Sequence, residues 1–138
     1  MDRTNLVKVR DYLPEDKNFI YASWLRGLYY GDAGFKDVPK DVFMQHYHDV
    51  LERILESPTI KVKVACLQDD HSVILGYAVV SDVSPTLYWV FVKAPWRKIG
   101  IAKSLIPEDL KTVTHMTALG KSILKKKYPA VVYNPFLN

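Results

Sequence analysis

With one cysteine in 138 residues, no internal disulfide can form, so packing and hydrogen bonds must hold the fold. Cys66 stands in an alternating apolar run and reads as a small buried side chain rather than a nucleophile, which fits a reducing, cytoplasmic setting. No run of about 18 apolar residues occurs, and Met1-Asp2-Arg3-Thr4-Asn5 has no apolar stretch behind it; neither a membrane span nor an export signal is expected. Basic residues are not interleaved with aromatics along any segment, which argues against a nucleic-acid partner. Internal repeats and low-complexity tracts are absent, so residues 1–138 are expected to fold as one domain. His46 and His48 flank Tyr47 on a helical pattern and project to opposite sides, so no metal site is expected from them.

Apolar residues make up 49% of the chain, enough to fill the core of one domain. The net charge of +4 and a pI near 9.1 suit an acidic ligand without choosing among a polyphosphate, an acidic protein and nucleic acid.

The order of elements follows from periodicity. Leu6 to Tyr12 alternates Val7 and Val9 with Lys8 and Arg10, a half-buried strand with Val7 and Val9 inward. Asn18 to Tyr30 carries Phe19, Ala22, Leu25, Leu28 and Tyr29 near helical spacing and stops in Gly31-Asp32-Ala33-Gly34. Asp41 to Ser57 sets Phe43, Tyr47, Val50, Leu51, Ile54 and Leu55 on one face and ends before Pro58. Ile60 to Leu67 and Val73 to Val80 flank the turn Gln68-Asp69-Asp70-His71-Ser72 as a hairpin. Thr86 to Val92 is a strand rich in aromatic and β-branched residues that runs into a helix starting near Gly100, which Pro107 should cut short. A strand at Thr112 to Ala118, a helix at Lys121 to Lys127 and a strand at Ala130 to Tyr133 complete the order. The result is a mixed α and β chain, and its hairpin meander argues against repeated βαβ units and a Rossmann domain.

The turn Arg97-Lys98-Ile99-Gly100-Ile101-Ala102 is the chemically pointed segment. Backbone N–H groups at the start of a helix lack intrahelical partners and suit an anion. Gly100 lets a phosphate approach the backbone, Ala102 keeps the first turn open, and Arg97 and Lys98 add positive charge.

These residues resemble the hallmark of the GNAT acetyltransferases: Arg or Gln, any two residues, Gly, one residue, then Gly or Ala. The lead-in Phe91-Val92-Lys93-Ala94-Pro95-Trp96 and the hairpin segment Ile74-Leu75-Gly76-Tyr77 are similar to the family's fourth-strand exit and third strand. The resemblance covers nearly the whole chain. It implies a central, mostly antiparallel mixed sheet flanked by helices and splayed between strands four and five. It also implies acetyl-CoA as acyl-donor cosubstrate, bound by Arg97 to Ala102. The activity implied is transfer of an acetyl group to a primary amine, on a small molecule or a protein. The alternative is a catalytically weak or inactive relative that binds a partner protein.

The resemblance also implies that a fourth-strand backbone N–H, of Phe91 or Val92, polarises the acyl carbonyl. His115, expected in strand five, is the candidate general base, and Asp82 is a weaker one. The family's acid is often a tyrosine on the helix after strand five. The aligned position here is Leu124 or Lys125, so Tyr128, Tyr133 or water would take that part, with packing the expected use of Tyr133. Lys125-Lys126-Lys127, with Lys121 nearby, reads as a solvated helix end that can also attract phosphates or an acidic partner. Trp24, Tyr29, Tyr30 and Phe35 fall where the family builds part of its acceptor wall; core packing accounts equally for Trp24, and Tyr29-Tyr30 beside the glycine-containing loop is the more pointed pair. The C-terminal Tyr133-Asn134-Pro135-Phe136-Leu137 could close its own sheet or meet a second copy in a homodimer.

Overall fold

Period-two segments form strands and the two longest helical patterns form helices nearly where the sequence places them. The computed structural model describes residues 3–115 and 117–137. Strand β1 (Val7–Asp11) leads through a short turn into α1 (Lys17–Gly31) and α2 (Lys40–Glu56). Then come β2 (Ile60–Leu67), β3 (Ile74–Ser81), β4 (Thr86–Val92), α3 (Ile101–Leu105), β5 (Thr112–Val113), α4 (Ala118–Lys127) and β6 (Val132–Tyr133).

The six strands lie in sequence order in one sheet. Pairs β1–β2, β2–β3 and β3–β4 are antiparallel, as hairpin connections require, whereas β4–β5 and β5–β6 are parallel and are joined through α3 and α4. β3 is buried along its whole length and feeds both faces. Tyr77 and Val79 meet Ile20, Trp24, Leu51 and Ile54 of α1 and α2. Ala78 and Val80 meet Ile101 and Leu105 of α3, with Leu124 and Tyr128 packed against that second cluster. At about 25 cal/mol per Å² of apolar surface, this two-sided burial is the main stabilising contribution.

Two expectations fail for reasons of pairing. Val9 is 43% exposed and Arg10 is the residue that turns inward. Its guanidinium makes a two-pronged contact with the buried Asp16 carboxylate at 2.8 and 2.9 Å, and Nε reaches the His71 carbonyl. Asp16 also accepts from Leu13 N–H. Burial pushes its pKa up, but the bonds from Arg10 and Leu13 prevail and lower it overall. Strand five, expected to reach Ala118, stops at Val113; the cause lies at the candidate site.

Candidate functional site

Among the described residues β5 pairs with β4 only at Thr86 and Leu87, and from Trp89 to Val92 the outer edge of β4 has no strand partner there. Beyond Val113 the chain still sends Thr114 N–H to the Leu87 carbonyl at 3.0 Å. The next contact is made by a side chain, His115 Nδ1 standing 3.2 Å from the Tyr88 carbonyl and 2.8 Å from Thr114 Oγ1. An imidazole thus replaces a backbone rung, the strand ends, and the gap opens.

A β-bulge decides which amides face that gap. Val79 pairs with Trp89 but Val80 with Leu87, leaving Tyr88 as an extra residue on β4. Lys93 N–H donates to the Leu75 carbonyl at 2.8 Å, so by ladder alternation Phe91 directs its N–H at β3 and Val92 directs its own away from β3, into the gap. Of the two N–H groups expected at this site, that of Val92 faces the gap and that of Phe91 faces β3. Phe91 serves packing instead, its ring against Phe19 and Tyr77.

Immediately beyond the gap lies the turn. Arg97 folds back, its Nε donating to the Val92 carbonyl at 2.9 Å, which ties the turn to the strand end. Lys98 (φ 69°) and Gly100 (φ 90°) both adopt left-handed backbone, and the first bond into α3 is Ser104 N–H to the Gly100 carbonyl at 3.1 Å. The amides of Ile101, Ala102 and Lys103 therefore precede any intrahelical bond. Ile101 is buried and Ile99 packs on the same cluster, so apolar anchors hold the turn while its backbone stays at the surface. Arg97, Lys98 and Lys103 form no ion pair among the described residues. α3 has only five residues, ending before Pro107 as expected, so the individual amides and the cations matter here more than a helix dipole.

The overall fold recurs in solved structures. A candidate acetyltransferase from Bacillus subtilis superposes with a TM-score of 0.61 at 17% identity, covering 89% of this chain and 88% of its own. A candidate acetyl transferase from Pyrococcus furiosus gives 0.59 at 18% identity over 72% of this chain and 68% of its own. A candidate GNAT-family acetyltransferase from Staphylococcus aureus gives 0.50 at 16% identity over 70% and 82%. The chain has the GNAT fold. No protein-family model and no curated protein matches it, and at these identities the fold is what is shared.

Within that GNAT fold, His115 lies just past β5 rather than in it. Its ring abuts Trp24 and Tyr47, with centroids at 5.7 and 6.1 Å. Burial pushes its pKa down to about 4, the bond to the Tyr88 carbonyl only partly opposing this. The carbonyl can only accept, so Nδ1 carries the proton and the ring is neutral at pH 7. The folded state thus takes up a proton less readily than the unfolded chain, and stability falls as pH drops below about 6.5. By pH 5 the loss from this one residue should be about 2 kcal/mol. Denaturant melts at pH 7 and pH 5 should show this difference for the parent and lose it in His115→Gln.

The other expected groups are dispersed. Asp82 forms an ion pair with Lys61 and sits at the far end of β3 from the gap, so it is not at the site. Tyr128 caps α4, and Tyr133, expected to pack, is 49% exposed; both line a cavity together with Lys121 and Lys125. Trp24 is fully buried and stacks on Trp89, whereas Tyr30 is 65% exposed beside Tyr29. His46 touches Tyr47, and His48 turns to Tyr21 and lies within 4.8 Å of Asp49 and Glu52, a grouping on the surface of α2 that spacing against His46 alone could not reveal.

Proposed function

We propose that the protein is an acetyl-CoA-dependent N-acetyltransferase acting on a primary amine. The observation that carries this reading is the continuity of two features: an open β4 edge with the Val92 N–H aimed into it, and a turn whose amides from Ile101 to Lys103 precede any intrahelical bond and whose cations form no ion pair among the described residues, tied to the same strand end by Arg97.

The residues present fit the cosubstrate. A Cβ placed on Gly100 would meet nothing within 4 Å, so the backbone there lies open to a close-approaching group, and its φ of 90° favours glycine. The amides from Ile101 to Lys103, with Arg97 and Lys98, would hold the pyrophosphate. Acetyl-CoA, when bound, supplies an acetyl thioester as the electrophile. Val92 N–H is the donor suited to its carbonyl oxygen, on a strand whose neighbouring side chains join the apolar clusters of both sheet faces. His115 is neutral at pH 7 and can orient groups at the gap, but an imidazole that gives up its proton near pH 4 is a weak base. That last point favours a second reading, a GNAT-fold protein with little turnover that binds a partner.

Titration calorimetry with acetyl-CoA tests the main reading. Binding is expected for the parent, with a loss of about tenfold or more in Arg97→Glu, whose reversed charge repels the pyrophosphate. An absence of binding by the parent would end it. Binding without turnover across a broad amine panel would favour the second reading.

A further inference from the structure

The cavity that receives Tyr128 and Tyr133 contains charges of both signs that do not meet. It measures about 600 Å³ and lies between the end of α1 on one side and α4 with β6 on the other, walled by Asp32, Thr117, Lys121, Lys125, Tyr128 and Tyr133. Asp32 uses one carboxylate oxygen to accept from Gly34 N–H at 2.8 Å. Neither it nor Lys121 nor Lys125 forms an ion pair among the described residues, although all three border the same space. The two lysines are four residues apart on α4 and so share one face, where they repel each other unless an anion lies between them.

The cavity neighbours the gap. Thr117 is two residues from His115, which bonds β4 at Tyr88. Tyr47 packs its ring against His115, with centroids 6.1 Å apart, and burial first, then the nearby Tyr133 and Asp32, raise the pKa of its hydroxyl.

We infer that this cavity receives the acceptor, and that the acceptor is an amine that also carries a carboxylate, with Lys121 and Lys125 taking the carboxylate and Asp32 the ammonium. Opposite charges held apart across a cleft complement a ligand with the same separation and leave a plain alkylamine with one end unmatched. This inference rests on the acetyltransferase reading for its catalytic meaning, but it can be tested without it.

The probe is a matched series: β-alanine, 4-aminobutanoate and 6-aminohexanoate against alkylamines of the same chain lengths. Binding to the full chain is followed by calorimetry without donor, and turnover is followed with acetyl-CoA. At the best length the amino acid should bind about tenfold more tightly than its alkylamine, and the preference should shrink as salt is raised. In Lys121→Gln combined with Lys125→Gln the ratio should fall to about one, whereas Lys126→Gln, on the same helix outside the cavity, should keep it. Asp32→Asn should weaken both series. Equal affinity for the two series would overturn the inference, as would a preference that survives in the double variant. So would a double variant whose main defect is in acetyl-CoA binding, since the lysines would then serve the donor. If acetyl-CoA fails to bind the parent, the acetyltransferase reading falls, and the donor-free titrations still decide this one.

Discussion

Gly100→Asn is expected to lower acetyl-CoA affinity about a hundredfold while costing the fold less than about 1 kcal/mol. Two observations separate the effects. The φ of 90° at Gly100 is left-handed, and asparagine tolerates that region better than other side chains. The space beside it is empty to 4 Å, so the new side chain meets no protein atom and the turn keeps its shape. What the side chain occupies is the approach to the amides of Ile101 and Ala102. Gly100→Val should bind as poorly and also lose about 2 kcal/mol of stability, because a β-branched residue is strained at positive φ. Calorimetry and denaturant melts on both variants check the pair. An asparagine variant that binds acetyl-CoA as well as the parent would show that the donor does not approach Gly100.

The strand, turn and short helix from Thr86 to Leu105 were legible in the sequence because their signals are local. Thr86 to Val92 carries a period-two aromatic and β-branched pattern, and the strand occupies those seven residues. The turn that follows is a contiguous hexapeptide, and Pro107 ends α3 through its own chemistry. What could not be read depends on contacts across the chain. Nothing in the order Thr86-Leu87-Tyr88-Trp89 shows that Tyr88 bulges, yet the bulge reverses which amides face outward and so turns the Val92 N–H, rather than that of Phe91, toward the gap. The early end of β5 comes from His115 taking the Tyr88 carbonyl, a side chain substituting for a backbone donor, to which periodicity is blind. Arg10 turned inward because Asp16, six residues away and beyond a turn, was there to receive it. The cavity joins Asp32 to residues from 117 to 133, and Asp32 in a glycine-containing loop carries no local signal of its use.

Gly76→Ala is expected to cost about 3 kcal/mol and to lower acetyl transfer more than acetyl-CoA binding. A Cβ on Gly76 would stand 2.5 Å from the Phe91 carbonyl oxygen and 3.2 Å from both Cα and Cγ2 of Val92. The nearest of these is backbone, so no rotamer change relieves the contact. β3 is buried throughout and held on its other side by β2, so the strand free to move is β4, toward the gap it borders. That displacement shifts the Val92 N–H relative to a turn whose shape Lys98, Gly100 and buried Ile101 maintain independently. Donor binding, which depends on the turn, should therefore fall only a fewfold, while kcat, which depends on where Val92 N–H meets the carbonyl, should fall tenfold or more. Gly34→Ala is the comparison for stability and donor binding: its Cβ would meet only the Asp32 carboxylate at 3.2 Å in an exposed 3-10 turn, and stability should change by less than about 0.5 kcal/mol. Denaturant midpoints, acetyl-CoA titrations and single-turnover rates on both variants decide it. An alanine variant with parental kcat would mean that Val92 N–H does not act on the acyl carbonyl, and the search for the donor would move to Val90, the next amide outward along the same edge.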